Sequence, residues 1–155
     1  MAARAAADEL FEWTVARIRP LLPASADIRH IGATAVHGCL TKGDLDIVVR
    51  VEATDFPAAD AALAAHFARN TGSMLSDTFS SFESASTAPH LGIQLTVIGA
   101  PNDFFHTFAE ALMGDPDLLA RYNTLKCAFD GHPMEAYRTA KSAFIERVLR
   151  AIECS

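Results

Sequence analysis

The chain has 155 residues, of which 50% are hydrophobic and 21% charged, with 8 Gly and 7 Pro. This length and composition indicate one folded domain with a sizeable core and exclude a disordered, collagen-like or low-complexity protein. The net charge of −6 argues against a non-specific nucleic-acid binder, which needs excess Lys and Arg to replace counterions on phosphates.

The first part of the chain predicts a helix, a strand, a tight turn and a second strand. Apolar residues recur at helical spacing over 5–22, and a short β-capable segment follows at 27–31. The small residues of 32–38 predict a tight turn that leads into one helical turn. Over 44–51, polar and apolar residues alternate, which predicts a strand with one buried face and two aspartates on the other face.

The remainder predicts a third helix, two more strands and a helical end. Helical spacing returns over 55–70, and strands are expected at 74–83 and 91–98, separated by a turn-rich segment. The last third is helical throughout, and Asp115 followed by Pro116 is typical of a helix start.

This order of elements predicts an α+β fold of mixed α/β character. We expect a small mixed β-sheet with flanking helices, and a helical C-terminal third packed on or beside it. The domain spans residues 1–155, with a sheet-containing core in 1–100 and the C-terminal helices in 101–155.

Cysteine content and hydropathy predict a cytoplasmic protein without membrane contact. Cys39, Cys127 and Cys154 are an odd number at wide spacing and contain no C-x-x-C pair, which favours a reducing compartment. The apolar runs are far shorter than the roughly 20 residues of a membrane span. Acidic residues near the N-terminus occupy the place where a signal peptide needs an apolar stretch.

Two carboxylates on the second predicted strand indicate a metal–phosphate site. Same-face neighbours on a strand are about 7 Å apart, so Asp44 and Asp46 repel each other unless a divalent cation neutralises them. Mg²⁺ (or Mn²⁺) suits such a pair, because it binds through one or two carboxylates plus water and substrate phosphates. The alternative is a solvated strand face, since so short a motif often occurs by chance.

The turn before this strand carries groups that suit a phosphate. Gly32 lets the backbone approach a ligand closely, and Thr34 supplies a hydroxyl at the start of a helical turn. The turn then binds phosphate oxygens, and the aspartates bind the metal that those oxygens share. The alternatives are an ordinary turn glycine and a helix cap.

These residues carry a resemblance to a known family. The segment IGATAVHGCLTKGDLDIVV resembles the polymerase-beta-type nucleotidyltransferase signature, a Gly-Ser turn and short helix followed by a strand with two aspartates. More narrowly, RHIGATAVHG, SSFES, GIQLTVIG, NDFF, GDPDLLARYNTLK and YRTAKSAFI resemble the GrpB family along nearly the whole chain. That family is similar in fold to nucleotidyltransferases, and some of its members are fused to dephospho-CoA kinase.

The resemblance implies a metal-dependent nucleotidyltransferase that transfers a nucleotidyl group to a small acceptor. It assigns Asp44 and Asp46 to metal binding and catalysis. It implies that the phosphate or nucleotide is bound by Gly32, Thr34, Lys42 and His30. The expected partner is a nucleotide or small phosphorylated ligand and neither a nucleic acid nor a membrane; the oligomeric state is left open.

Two departures from the family pattern favour an alternative. Ala33 stands where nucleotidyltransferases carry serine. A later strand offers Gln94 and Thr96 where catalytic members place a third acid, and Glu83 on the neighbouring strand is the nearest substitute. Without a third carboxylate the acceptor hydroxyl is harder to deprotonate. A catalytically impaired ligand-binding or regulatory module, linked to coenzyme A metabolism through the fused relatives, therefore stays open.

Residues of the C-terminal third are weaker candidates. Arg138 and Lys141 lie three positions apart on the last predicted helix and share a face that could bind an anion, although a solvated helix face is the alternative. Phe104, Phe105 and Phe108 are more typical of a core than of a base-stacking platform.

Overall fold

The computed structural model describes residues 2–70, 75–84 and 89–153. The strands are β1 (Asp27–Ile31), β2 (Leu45–Val51), β3 (Ala68–Arg69), β4 (Phe79–Ser84) and β5 (Leu91–Val97). The helices are α1 (Ala2–Ile18), α2 (Phe56–Ala64), α3 (Phe105–Gly114), α4 (Pro116–Ala128) and α5 (Met134–Glu153). The predicted α+β class with a helical C-terminal third is confirmed.

The five strands form one mixed sheet in the order β1-β2-β5-β4-β3. Strands β2 and β5 pair in parallel, and the other neighbours pair antiparallel. Because β2 and β5 each have a strand on both sides, the residues that they carry lie in the middle of the sheet.

Helices cover both faces of this sheet. On one face, alternate residues of β2 and β5 pack against α1 and α2. On the other face, Val48 packs against Phe108 of α3 and Phe144 of α5. The prediction that β2 has only one buried face is therefore wrong: Val48 is 0% exposed, because the C-terminal helices lie on the sheet rather than beside it. Asp46 shares this second face, which places it beneath those helices.

The prediction of a helix over 55–70 is wrong beyond Ala64, where α2 ends. The chain then turns back, and Arg69 pairs with Phe82 of β4 at the sheet edge. Two hydrogen bonds from the Arg69 guanidinium to Asp60, at 3.0 and 2.7 Å, and burial of the Phe67 side chain stabilise this reversal. Pairing with a distant strand overrides the local helical spacing.

The strand expected at 74–83 is shorter than predicted. Ser76 forms an isolated bridge with Phe79, which closes a turn, so regular pairing starts only at Phe79. Met74 lies outside the described residues. The predicted helix start at Asp115 is confirmed: its side chain accepts hydrogen bonds from the backbone N–H groups of Asp117 (3.0 Å) and Leu118 (3.1 Å).

An ion-pair network anchors the segment that leads into α3. Arg50 donates hydrogen bonds to Asp103 at 2.7 and 2.8 Å and to Asp27 at 2.8 Å. Asp103 also accepts a hydrogen bond from the backbone N–H of Gly99. Burial alone would raise the pKa of Asp103, but the hydrogen bond from Arg50 holds it below the usual value. The aromatic residues that follow are thereby fixed relative to β2.

The structure describes the hydropathy of the helices and the state of two cysteines. None of the helices in 2–70, 75–84 and 89–153 is long and apolar enough to cross a membrane. Cys39 is a buried free thiol and Cys127 an exposed one, whereas Cys154 lies outside the described residues. The cytoplasmic compartment stays a prediction.

Candidate functional site

A cavity of about 620 Å³ lies between the second face of the sheet and the C-terminal helices. It brings the two predicted aspartates together with lysines from distant parts of the sequence. Besides Gly32, the residues that line it include the charged or polar Lys42, Asp44, Asp46, Gln94, Lys126, Asp130, His132 and Lys141. Four predicted site residues, His30, Thr34, Glu83 and Arg138, are not part of this lining.

Asp46 lies in a space that two glycines leave open. In the sheet it stands opposite Ile31 of β1 and Gly92 of β5. A Cβ atom at Gly32 would lie 2.6 Å from Oδ2 of Asp46, and one at Gly92 would lie 2.9 Å from Oδ1. Gly32 also has φ 75° and ψ −171°, a conformation that is essentially confined to glycine. Both glycines are therefore needed for this carboxylate to occupy its position.

Gly92 was missed by the sequence reasoning. A glycine inside a strand that is otherwise Leu, Ile and Val often marks a close approach of another group. In this chain the approaching group is the carboxylate of Asp46.

Asp46 and Lys141 influence each other across the cavity. Burial raises the pKa of Asp46, and the positive charge of Lys141 opposes that shift. Burial lowers the pKa of Lys141, and the negative charge of Asp46 opposes that shift in turn. Each charged form is thus disfavoured by partial desolvation and favoured by its neighbour, so this carboxylate is suited to a cationic partner.

A partly buried chain of hydrogen bonds holds the backbone of Asp44. Thr34 is 2% exposed, and its hydroxyl donates to the backbone carbonyl of Asp44 at 3.0 Å. The hydroxyl oxygen of Thr34 also lies 2.8 Å from Nε2 of His30. Because the hydroxyl has one proton and the carbonyl can only accept, Nε2 of His30 must be the donor. Thr34 and His30 therefore lie behind the aspartate, and the Asp44 side chain itself is exposed and lines the cavity.

Replacing Thr34 with valine should lower the free energy of unfolding by about 1–3 kcal/mol, because it leaves the Asp44 carbonyl and the His30 N–H without partners. Thr34→Ser keeps the hydroxyl and is the matched control. Urea denaturation of the two variants and the wild type measures the difference. Equal stability of the valine and serine variants would show that this chain does not hold Asp44.

The turn after Gly32 is tied to α1 by one side chain. The guanidinium of Arg4 donates hydrogen bonds to the backbone carbonyls of Ala33, Val36 and Cys39, at 3.2, 2.7 and 3.3 Å. The carbonyls of Ala33 and Val36 also accept backbone hydrogen bonds within the turn, so Arg4 adds a second donor to each of them. The position of the turn depends on α1 as well as on β1.

The segment that leads from this turn to Lys42 is tied to α4. Asn123 accepts a hydrogen bond from the backbone N–H of Leu40 at 2.9 Å and donates one to the carbonyl of Gly38 at 3.0 Å. Nζ of Lys126 donates to the carbonyl of Leu40 at 2.6 Å. A C-terminal helix thereby fixes the loop at one edge of the cavity.

The cavity presents an amide where catalytic relatives are expected to carry a third acid. Gln94 lies on β5 opposite Val48 and lines the cavity. Glu83 stands opposite Gly92, but it does not line the cavity, and its carboxylate lies 3.7 Å from Nε2 of His90. In the described part of the chain, no three His, Cys, Asp or Glu side chains gather as a metal-ligand cluster.

Two lysines of α4 and α5 line the cavity: Lys141, which the sequence had offered as a weaker candidate, and Lys126, which was missed. Lys126 lies 4.7 Å from the ring centroid of Tyr122, and Lys141 lies 6.0 Å from that of Tyr137. The available signal was the concentration of basic residues after Ala120. It did not distinguish the lysines of the cavity from the exposed Arg138 on the same helix as Lys141.

The three phenylalanines before and within α3 divide between core and cavity. Phe108 is a core residue, as predicted, with 9% exposure. Phe104 and Phe105 are partly exposed and line the cavity, with their rings stacked at a centroid distance of 4.5 Å. They give one wall of the cavity a flat aromatic surface.

Comparisons with known proteins place the chain in a family. A family model described as GrpB protein matches residues 2–151. A UPF0157 protein of Vibrio cholerae serotype O1 is 34% identical over 147 residues, which cover 94% of this chain and 77% of that protein. The crystal structure of the conserved protein GrpB from Enterococcus faecalis has a TM-score of 0.74 at 20% identity, over 94% of this chain and 92% of that one.

A more distant likeness exists to the Cid1 poly(U) polymerase. Its TM-score is 0.41 at 15% identity, over 76% of this chain and 37% of that one. A likeness of this size supports no functional argument, so the proposals below depend on the family and on the cavity.

Proposed function

The chain belongs to the GrpB family, and from this premise we propose that its cavity binds a divalent metal ion together with a nucleotide or another phosphorylated ligand. The observation that supports this proposal is the presence of Asp44, Asp46 and lysine ammonium groups around one cavity. Carboxylates suit the metal and ammonium groups suit the phosphates. A site for a metal alone would not need the lysines, and a site for phosphate alone would not need the aspartates.

The residues of the cavity fit Mg²⁺ or Mn²⁺. Asp44 and Asp46 offer carboxylate oxygens, Gln94 offers an amide oxygen, and water and ligand phosphates would complete the coordination. The metal, when bound, would neutralise the two carboxylates and screen the charge of the phosphates. The glycines beside Asp46 keep one of these carboxylates accessible from the cavity.

The phosphates are assigned to the groups beside the aspartates. Gly32 and the exposed Lys42 line the same cavity. Thr34 and His30 take a positioning role, because the Thr34 hydroxyl already has two partners. The net charge of −6 does not argue against phosphate binding, because the groups that would bind the phosphates are concentrated at the cavity.

Nucleotidyl transfer to a small acceptor is the catalytic form of this proposal. In that reaction an acceptor hydroxyl oxygen bonds to the α-phosphorus, the bond to pyrophosphate breaks, and the hydroxyl proton must leave. Gln94 cannot take that proton as a carboxylate would. Its presence in the cavity favours a second candidate function, in which the protein binds the ligand as a regulatory module without turnover.

Thermal unfolding with nucleoside triphosphates and coenzyme A precursors, with and without Mg²⁺, tests the proposal. A ligand at about 100 times its dissociation constant adds about 2.7 kcal/mol, which corresponds to roughly 5–10 °C in Tm for a chain of this size. We expect this shift only when metal and ligand are both present. No metal-dependent shift with any of them would overturn the proposal, and pyrophosphate release would separate turnover from binding alone.

A further inference from the structure

We propose that Lys126 and Lys141 form a second anion subsite, which binds a phosphate group without requiring the metal. This inference rests on the proposed function in using the same cavity, and it extends that function by naming a substrate class. The acceptor or ligand would carry a phosphate group of its own, separate from the phosphates at the aspartate pair.

Lys141 is a partly buried cation without a hydrogen-bonded partner in the described part of the chain. It lines the cavity, and its ammonium lies 6.0 Å from the centroid of the Tyr137 ring. None of the ion pairs among the described residues includes it. Asp46 stabilises this ammonium only across the cavity and accepts no hydrogen bond from it, so part of the cost of desolvating the charge remains. An anion in the cavity would relieve that cost.

Lys126 is held in place and still has a donor to spare. Its ammonium donates to the carbonyl of Leu40 at 2.6 Å and lies 3.5 Å from Sγ of Cys39. A lysine ammonium has three donors, so one remains for a ligand. Because these contacts and the ring of Tyr122 already restrict the side chain, little further rotamer entropy is lost when a ligand binds.

The charges around these lysines match a dianion. Lys126 disfavours the charged form of Lys141 through like-charge repulsion, and an anion between the two would replace that repulsion with two attractions. A phosphate monoester carries nearly two negative charges near neutral pH, which matches two ammonium groups. A monocarboxylate carries only one.

The aspartate pair and the lysines must act on different groups. A metal ion at Asp46 would repel Lys141, unless an anion lies between them. A ligand with phosphate at both places removes this repulsion, and each site then favours occupation of the other. If Lys141 served only to neutralise Asp46, free phosphate would not bind to the metal-free protein.

Calorimetric titration with inorganic phosphate in the presence of EDTA tests the subsite, with wild type, Lys141→Met and Lys126→Met. We expect each substitution to weaken phosphate binding by about 10-fold or more, because each removes a charge-assisted hydrogen bond. Arg138→Met is the matched control, since Arg138 lies on the same helix, is exposed and does not line the cavity. Acetate should bind more weakly than phosphate.

Two results would overturn the subsite: no phosphate binding by the metal-free wild type, or equal binding by Lys141→Met and Arg138→Met. Lys141→Gln, with circular dichroism to confirm folding, replaces the methionine variant if that variant unfolds. Asp46→Asn separates this inference from the proposed function. It removes a competing negative charge, so metal-free phosphate binding should be retained or strengthened while metal-dependent nucleotide binding is lost.

Discussion

Asp46→Asn is expected to abolish the metal-dependent stabilisation of the protein by a nucleoside triphosphate. Loss of a residue that merely supports a metal ligand typically lowers metal affinity 10–100-fold, so loss of the carboxylate itself should lower it by about 100-fold or more. Asparagine has the same shape and keeps the space beside Gly32 and Gly92 filled. It also removes a partly buried negative charge, so the ligand-free variant should fold normally. Titration with Mg²⁺ in the presence of the triphosphate measures the loss.

Glu83→Gln is the matched control for that experiment. Both Asp46 and Glu83 pair with Gly92 of β5, Asp46 from β2 on one side and Glu83 from β4 on the other. Glu83 does not line the cavity. We expect this variant to bind metal and nucleotide as the wild type does. The reverse pattern, with binding lost in Glu83→Gln and kept in Asp46→Asn, would transfer the metal site to Glu83.

The elements predicted well are those that local sequence determines. The strand predicted from the alternation over 44–51 and the Asp115-Pro116 start of α4 depend on neighbouring residues only, and both are present in the structure. The edge strand at Ala68–Arg69 was missed because it exists through pairing with β4. The second buried face of β2 was missed for a similar reason, since the helices that cover Val48 follow it by more than fifty residues.

The site divides in the same way. Gly32, Asp44 and Asp46 lie within one short stretch of the chain, so the turn and the aspartate pair together led to the hypothesis of a metal and phosphate site. Lys126 and Lys141 reach the cavity only through the packing of α4 and α5 on the sheet, and no spacing in the sequence reveals that placement. A hydroxyl can likewise be recognised in sequence, but not the direction in which it donates, which in Thr34 is toward the Asp44 backbone.

Gly32→Ala is expected to lower the free energy of unfolding by about 3 kcal/mol or more. A side chain at positive φ costs roughly 1–2 kcal/mol by itself, and forcing an extra methyl group into a packed site adds roughly 1–3 kcal/mol. The added Cβ would lie 2.6 Å from Oδ2 of Asp46, so that carboxylate must move. Metal-dependent nucleotide binding should therefore weaken together with stability, as measured by urea denaturation and Mg²⁺ titration.

Gly99→Ala separates the two parts of this effect. Gly99 has φ 82°, close to the 75° of Gly32, but a Cβ there would meet nothing within 4 Å. The control should show the cost of a side chain at positive φ without a clash, and it should keep metal-dependent binding intact. If both variants lost binding equally, the loss would follow from a side chain at positive φ and not from a clash with Asp46. If Gly32→Ala alone loses it, the residue is glycine because the carboxylate of Asp46 occupies the space that a side chain would fill.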